Sequence, residues 1–295
     1  MTITSEIQVD GRPALLTVPA DGPVRAGVVA LHGSGNPSHA QPIFEHLAQV
    51  AAPLGYAVLS FERAAWDADD VDVPFTVQTA GAVTAYQRLQ SRYDVPIGFW
   101  GVSQGTWIEA MASLELPDVA FLVMLGCSGV SPAEQMRHAT AELMRRNGYD
   151  AEAVAEAVGV RDAVAELLRG KADRAEVDAL LLAKSVEPWF ELTGLPVDLG
   201  SPLPVWHEVD FDSEALYSQV TCPVLLIHGA EEENLPVPET LAVWKRAAEI
   251  SGNKSVETAL IPGVGHWPGT PSRTLEGISP AYGDILRSYL AAKLP

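Results

Sequence analysis

The stretch FWGVSQGTWIEA, residues 99–110, runs from apolar residues into a serine placed between Gly101 and Gly105, then into a helical pattern. Glycine is costly inside a strand or helix, so two of them around one serine mark a turn that larger residues would not fit. G-x-S-x-G between a strand and a helix is the pattern of a nucleophile elbow, in which Ser103 sits on a strained turn at the top of a sheet. The helix that follows would aim its first N–H groups at negative charge developing beside the serine.

Outward from this stretch the chain alternates between two kinds of pattern. Short apolar runs, rich in β-branched and aromatic residues, occur at AGVVALHG (26–33), YAVLSFE (56–62), PIGFWGVS (96–103), VAFLVMLG (119–126), CPVLLIHG (222–229) and SVETALIPG (255–263). Most lack strict alternation, which fits strands buried on both faces of a parallel sheet. Helical periodicity falls between them, over 43–53, 77–93, 104–113, 238–250 and 282–292. EIQVDG and ALLTVP read as an opening antiparallel pair turned at Asp10-Gly11. The fold class is therefore α/β, with a mostly parallel central sheet and helices on both faces.

From Ser131 to about residue 205 no strand is evident. Ser131, Pro132 and Glu134 form a helix-start signal, and Ala/Glu/Leu-rich helical patterns follow, interrupted near Gly148, Gly159 and Gly170. The expected organisation is a core of 1–130 and 206–295 with an all-helical insertion, 131–205. That insertion leaves after a strand's carboxyl end, where sites of open α/β sheets lie, so it is expected to act as a lid.

A serine needs a positioned base. Of seven histidines, His46 and His138 lie in helical patterns, His39 and His207 in loops without a supporting motif, and His228 at the end of a buried run. His266 stands in the glycine-rich loop IPGVGHWPG (261–269) just past the last strand, and is the expected general base. The acid that orients it is expected in AEEENLPV (230–237), where Glu231, Glu232 and Glu233 are all candidates. The loop LHGSGNP (31–37) follows an early strand and offers the N–H of Ser34, beside that of Gln104, as an oxyanion hole.

The 38 acidic and 19 basic residues leave a net charge of −19, which argues against nucleic-acid and anionic-membrane partners. Cys127 and Cys222 both lie in apolar runs and read as free, buried thiols. No basic, apolar leader opens the sequence and no run reaches membrane-spanning length, so a cytoplasmic location is expected. No ligand-spaced cluster calls for a metal and no nucleotide-binding glycine motif appears, so no cofactor is expected. The sequence does not set an oligomeric state.

Taken together, ALHGSG, GVSQGTWI, CPVLLIHGAEEENLPV and IPGVGHW resemble the α/β-hydrolase superfamily. Within it the chain resembles bacterial capped hydrolases with an SQGxWI elbow and a helical insertion opening on SPxEQ. The resemblance covers nearly the whole core and implies a Ser–acid–His order. The family's G-x-x-D-x-x-V-P loop, laid on residues 229–236, puts the acid at Glu232, with glutamate where aspartate is commoner. A second departure is FERAA (61–65), where relatives carry a DxRGxG turn; no site role for Glu62 or Arg63 follows from it. The implied activity is hydrolysis of a small or medium-sized ester, with Ser103, His266 and Glu232 as catalytic residues. Trp66, Trp189, Phe190, Trp206 and Trp267 are candidate substrate contacts. A thioesterase, amidase or peptidase, lactonase or acyltransferase would use the same residues, and a ligand receptor or scaffold could keep the fold without turnover.

Overall fold

The computed structural model describes residues 1–35, 38–64, 73–201, 203, 206 and 208–295. Its frame is one sheet of eight strands: β1 (Thr2–Val9), β2 (Arg12–Pro19), β3 (Ala26–Leu31), β4 (Tyr56–Phe61), β5 (Ile97–Val102), β6 (Val119–Leu125), β7 (Val224–Gly229) and β8 (Val256–Ile261). Their order is β1-β2-β4-β3-β5-β6-β7-β8. The first two joints, β1 with β2 and β2 with β4, are antiparallel, and every later one is parallel. Asp10 and Gly11, at φ 51° and 73°, make the tight turn between β1 and β2.

Central strands are apolar throughout because both faces are covered. Phe75, Ala82 and Tyr86 of α2 (Phe75–Gln90), Ile108 of α3 (Gly105–Glu115) and Trp244 of α8 (Val237–Ser251) share one core with Val29, Leu31, Leu59 and Phe99. On the other face, α1 (Pro42–Ala51) and α9 (Pro280–Ala292) bring Phe44, Leu47, Tyr282 and Leu286 against Val28, Val58 and Trp100. Val29 and Val28, neighbours in one strand, thus belong to different cores, so no polar face is left to mark an alternation. At the sheet margin β8 is largely exposed, and its Glu257 interrupts the apolar run.

Between β6 and β7 the described chain is helical: α4 (Pro132–Arg146), α5 (Ala151–Leu168), α6 (Arg174–Lys184), a 3-10 turn (Phe190–Thr193) and α7 (Ser213–Tyr217). Ser131 Oγ accepts from the Glu134 N–H, and the Glu134 carboxylate accepts from the Ser131 N–H, which completes the expected capping box. Gly148 and Gly170 end helices as expected, at positive φ. Gly159 does not: α5 runs through it, because Val154, Ala157, Val160 and Val164 keep one buried face across it. Residues of α4, α5 and α6 with Trp189 and Phe190 form an apolar cluster of their own. Both cysteines are free, Cys127 buried and Cys222 half-buried. Among the described residues no helix is long and apolar enough to cross a membrane.

The chain leaves β3 to one side for β4, then crosses to the other side for β5. That reversal opens a crevice at the carboxyl ends of β3 and β5, where open α/β sheets place their ligands.

Candidate active site

Ser103 follows β5 directly and has a φ of 53°, a left-handed conformation in a residue other than glycine. Such strain persists only where the surroundings enforce it. Here the Ser103 N–H donates to the Leu125 carbonyl of β6 at 2.8 Å, and the Ser103 carbonyl accepts from the Thr106 N–H at 2.9 Å. The flanking glycines allow this turn by close approach. A Cβ on Gly105 would lie 2.6 Å from the Leu31 carbonyl oxygen, and one on Gly101 would lie 2.8 Å from the Gly105 main chain. Helix α3 is thereby pressed against β3 and β5 with Ser103 at its head.

The loop after β3 lies against the serine. A Cβ built on Gly33 would be 3.2 Å from the Ser103 Cβ, and Ser34 lines the same cavity as Ser103. Among the described residues no acceptor takes the N–H of Ser34 or of Gln104. Beneath this loop Arg63 is wholly buried, and its Nη2 donates to the carbonyls of His32 (2.7 Å) and Gly33 (3.0 Å) and to Gln104 Oε1 (3.1 Å). One guanidinium therefore holds both segments whose N–H groups flank the serine. His32 is equally enclosed, and burial together with the Arg63 charge lowers its pKa to about 3. A neutral ring can then give Nδ1–H to the Gly33 carbonyl (2.7 Å) and accept the Arg63 N–H at Nε2 (3.1 Å).

His266 stands in the loop after β8, and its ring packs over Gly126, where a Cβ would come within 3.0 Å of Cε1. Its Nδ1 is 3.0 Å from both carboxylate oxygens of Glu232. With Nδ1–H given to a carboxylate, the neutral ring keeps its lone pair on Nε2. The Glu232 side chain is 1% exposed. Burial pushes its pKa up, but the hydrogen bond and charge of His266 and the Asn234 N–H (2.8 Å) outweigh that and leave it below the usual carboxylate range.

The three consecutive glutamates are thus separated by position. Glu232 meets the ring, Glu233 accepts the His266 main-chain N–H at 3.0 Å, and Glu231 is exposed. Arg146 of α4 donates to the carbonyls of Glu231 (3.1 Å) and Glu232 (3.3 Å), tying the helical segment to this loop.

Ser103 and His266 line one cavity of about 540 Å³. Its floor is Gly33, Ser34, Val102, Ser103, Asn234 and His266; Trp267 and Arg273 close one side. Gln135, Met136, Ala139, Thr140 and Leu143, one face of α4 at helical spacing, form the roof with Arg161 of α5 and residues 191–194. Of the five aromatic candidates, Trp267 is on the wall. Trp189 and Phe190 pack inside the helical cluster instead, Trp206 is half-buried away from the lining, and Trp66 lies outside the described residues. The sequence assigns no site role to Arg63, Arg161 or the α4 face. Arg63 had a signal in FERAA, while Arg161 lies in an ordinary amphipathic helix and had none. Among the described residues no group of three or more His, Cys, Asp or Glu side chains is placed to hold a metal ion.

No family model matches the sequence, and no curated protein matches it. Solved structures do resemble it. Proline iminopeptidase from Mycobacterium smegmatis superposes with a TM-score of 0.60 at 16% identity, over 99% of this chain and 98% of that one. A highly thermostable carboxyl esterase from Bacillus coagulans gives 0.60 at 14%, over 99% and 98%. Dienelactone hydrolase from Anabaena variabilis gives 0.56 at 15%, over 100% and 99%. At such identities the likeness is one of fold.

Proposed function

We propose that this chain, which has the α/β-hydrolase fold, is a serine hydrolase cleaving a small or medium-sized carboxylic ester through an acyl-enzyme. One observation carries the reading: the strained Ser103 shares a cavity with His266, whose Nδ1 is held by the buried Glu232 carboxylate. The solved structures of similar fold include an esterase, a peptidase and a lactone hydrolase, which is in keeping with acyl transfer on this scaffold.

Ser103 gives its proton to His266 Nε2 and attacks the ester carbonyl. The tetrahedral oxyanion is met by the N–H groups of Ser34 and Gln104, with the α3 N-terminus behind them. Glu232 fixes the ring tautomer and stabilises the imidazolium without taking its proton. As the C–O bond breaks, the imidazolium protonates the departing alcohol. A water then loses a proton to His266 and attacks the acyl-enzyme, and the acid leaves as Ser103 recovers its proton. Met136, Ala139, Leu143 and Trp267 offer the substrate an apolar surface. We read the helical segment that roofs the cavity as a cap.

The test is pre-steady-state hydrolysis of 4-nitrophenyl esters of graded acyl length, with Ser103→Ala alongside. The expected result is turnover that vanishes in the folded variant, with or without a resolved burst. Unchanged turnover in Ser103→Ala would remove the serine as nucleophile.

A further inference from the structure

The roof of the cavity carries a guanidinium that the mechanism above does not use. Arg161 lies on α5 and is half-buried, lining the cavity with Ser103 and His266. Its Nη2 donates to the Thr193 carbonyl, while Nε is enclosed with no acceptor among the described residues. Among the described residues no carboxylate lies within 4.0 Å of it; Glu191 lines the same cavity but is exposed and beyond that reach.

The helical segment supplies its own contrast. Its other arginines all have a carboxylate: Arg137 has Asp162, Arg145 and Arg146 have Glu142, Arg169 has Asp210 and Arg174 has Asp178. Among the described residues, Arg161, which lines the cavity, is the arginine of this segment without a carboxylate in reach. Withdrawing a cation from water without a partner is unfavourable, and burial lowers the Arg161 pKa accordingly. Arg273, an exposed residue of the same lining, is also without a carboxylate within 4.0 Å among the described residues, and its guanidinium lies 5.7 Å from the Trp267 ring centre. A chain of net charge −19 repels anions at long range, so cations placed on the wall must supply any local attraction.

The geometry points to a substrate that bears a free carboxylate, held by Arg161 in the cavity roof while its ester carbonyl lies at Ser103. A carboxylate matches the planar fork of the guanidinium and supplies the counter-ion that Arg161 lacks among the described residues. This substrate class rests on the serine-hydrolase reading, and Arg161 is then a specificity determinant.

The experiment compares esters matched in length. Mono-4-nitrophenyl adipate is set against 4-nitrophenyl hexanoate, which places the charge on the acyl side. 5-Acetoxypentanoate is set against pentyl acetate, which places it on the alcohol side. The expected result is at least a tenfold higher kcat/KM for the charged member of one pair, with that ratio lost in Arg161→Gln and partly kept in Arg161→Lys. No preference in either pair, or a ratio unchanged in Arg161→Gln, overturns the inference. A fluorophosphonate probe on Ser103 separates the two readings. If it does not label and no ester is cleaved, the hydrolase reading fails. The anion site is then decided by calorimetry with hexanoate and the neutral hexanamide: tighter hexanoate binding that Arg161→Gln abolishes supports it, and equal or absent binding overturns it.

Discussion

Glu232 and Glu233 are adjacent in sequence, yet they hold different atoms of His266, one the ring and the other the main chain. Glu232→Gln keeps the volume but loses the charge that fixes the tautomer, so kcat should fall by about 10³- to 10⁴-fold. Glu233→Gln weakens one main-chain hydrogen bond, worth about 1 kcal/mol net, and should cost roughly tenfold or less. Steady-state kinetics of the two variants checks the order, and the reverse order would move the acid by one residue. Three consecutive glutamates do not say which points inward, so in the sequence the choice rested on a family loop pattern. Ser103 and His266 were legible because backbone demands mark them: glycines crowd both, and crowding leaves a trace in composition. Arg63 and Arg161 were not, because an arginine's partners are set by tertiary packing. Trp189 and Phe190 illustrate the same limit, since aromatic residues near an insertion serve equally as a cavity wall or as the insertion's own core.

Helix starts were readable in this chain where helix continuations were not. The Ser131–Glu134 capping box is local chemistry, complete within four residues, and α4 begins where it says. Ser131→Ala should therefore lower stability by about 1 kcal/mol in denaturant titration, without a large change in the denaturant slope. Gly159 is the converse case. Glycine weakens a helix without ending it, and α5 carries it on an exposed face because Val154, Ala157, Val160 and Val164 around it are buried. A Cβ there would meet nothing within 4 Å. Gly159→Ala should accordingly raise stability by about 0.5–1 kcal/mol, and a loss would mean that the glycine serves some packing role. The sheet strands were legible for a different reason. Coverage on both faces turns each central strand into an apolar run bounded by glycine or proline. Their order was not, because a parallel crossover leaves no mark on the strands it joins.

At the scale of the whole molecule, burial sets how stability responds to pH, through groups whose pKa values it shifts in opposite directions. His32, His46 and His228 all have pKa values lowered from 6.5, first by burial. They bind fewer protons folded than unfolded, so the stability they contribute is present above about pH 6.5 and is lost as pH falls below it. Glu109 behaves oppositely. It sits on α3 behind the elbow, wholly buried, with neither carboxylate oxygen hydrogen-bonded among the described residues, and burial raises its pKa well above 4.5. Its folded form keeps a proton that the unfolded chain releases, so its contribution is full below about pH 4.5 and declines as pH rises toward the folded-state value. While one proton separates the two states the slope is about 1.4 kcal/mol per pH unit. Self-repulsion of a chain with net charge −19 adds to the alkaline loss, and salt should relieve it. The acid limb should therefore persist in Glu109→Gln while the alkaline limb flattens, because the amide has no proton to release. Thermal unfolding from pH 5 to pH 9, at low and at 0.5 M salt, reads both effects. Comparing slopes keeps the test free of any constant cost of burying the amide, and parallel curves for the two proteins would show that Glu109 is ionised in the fold.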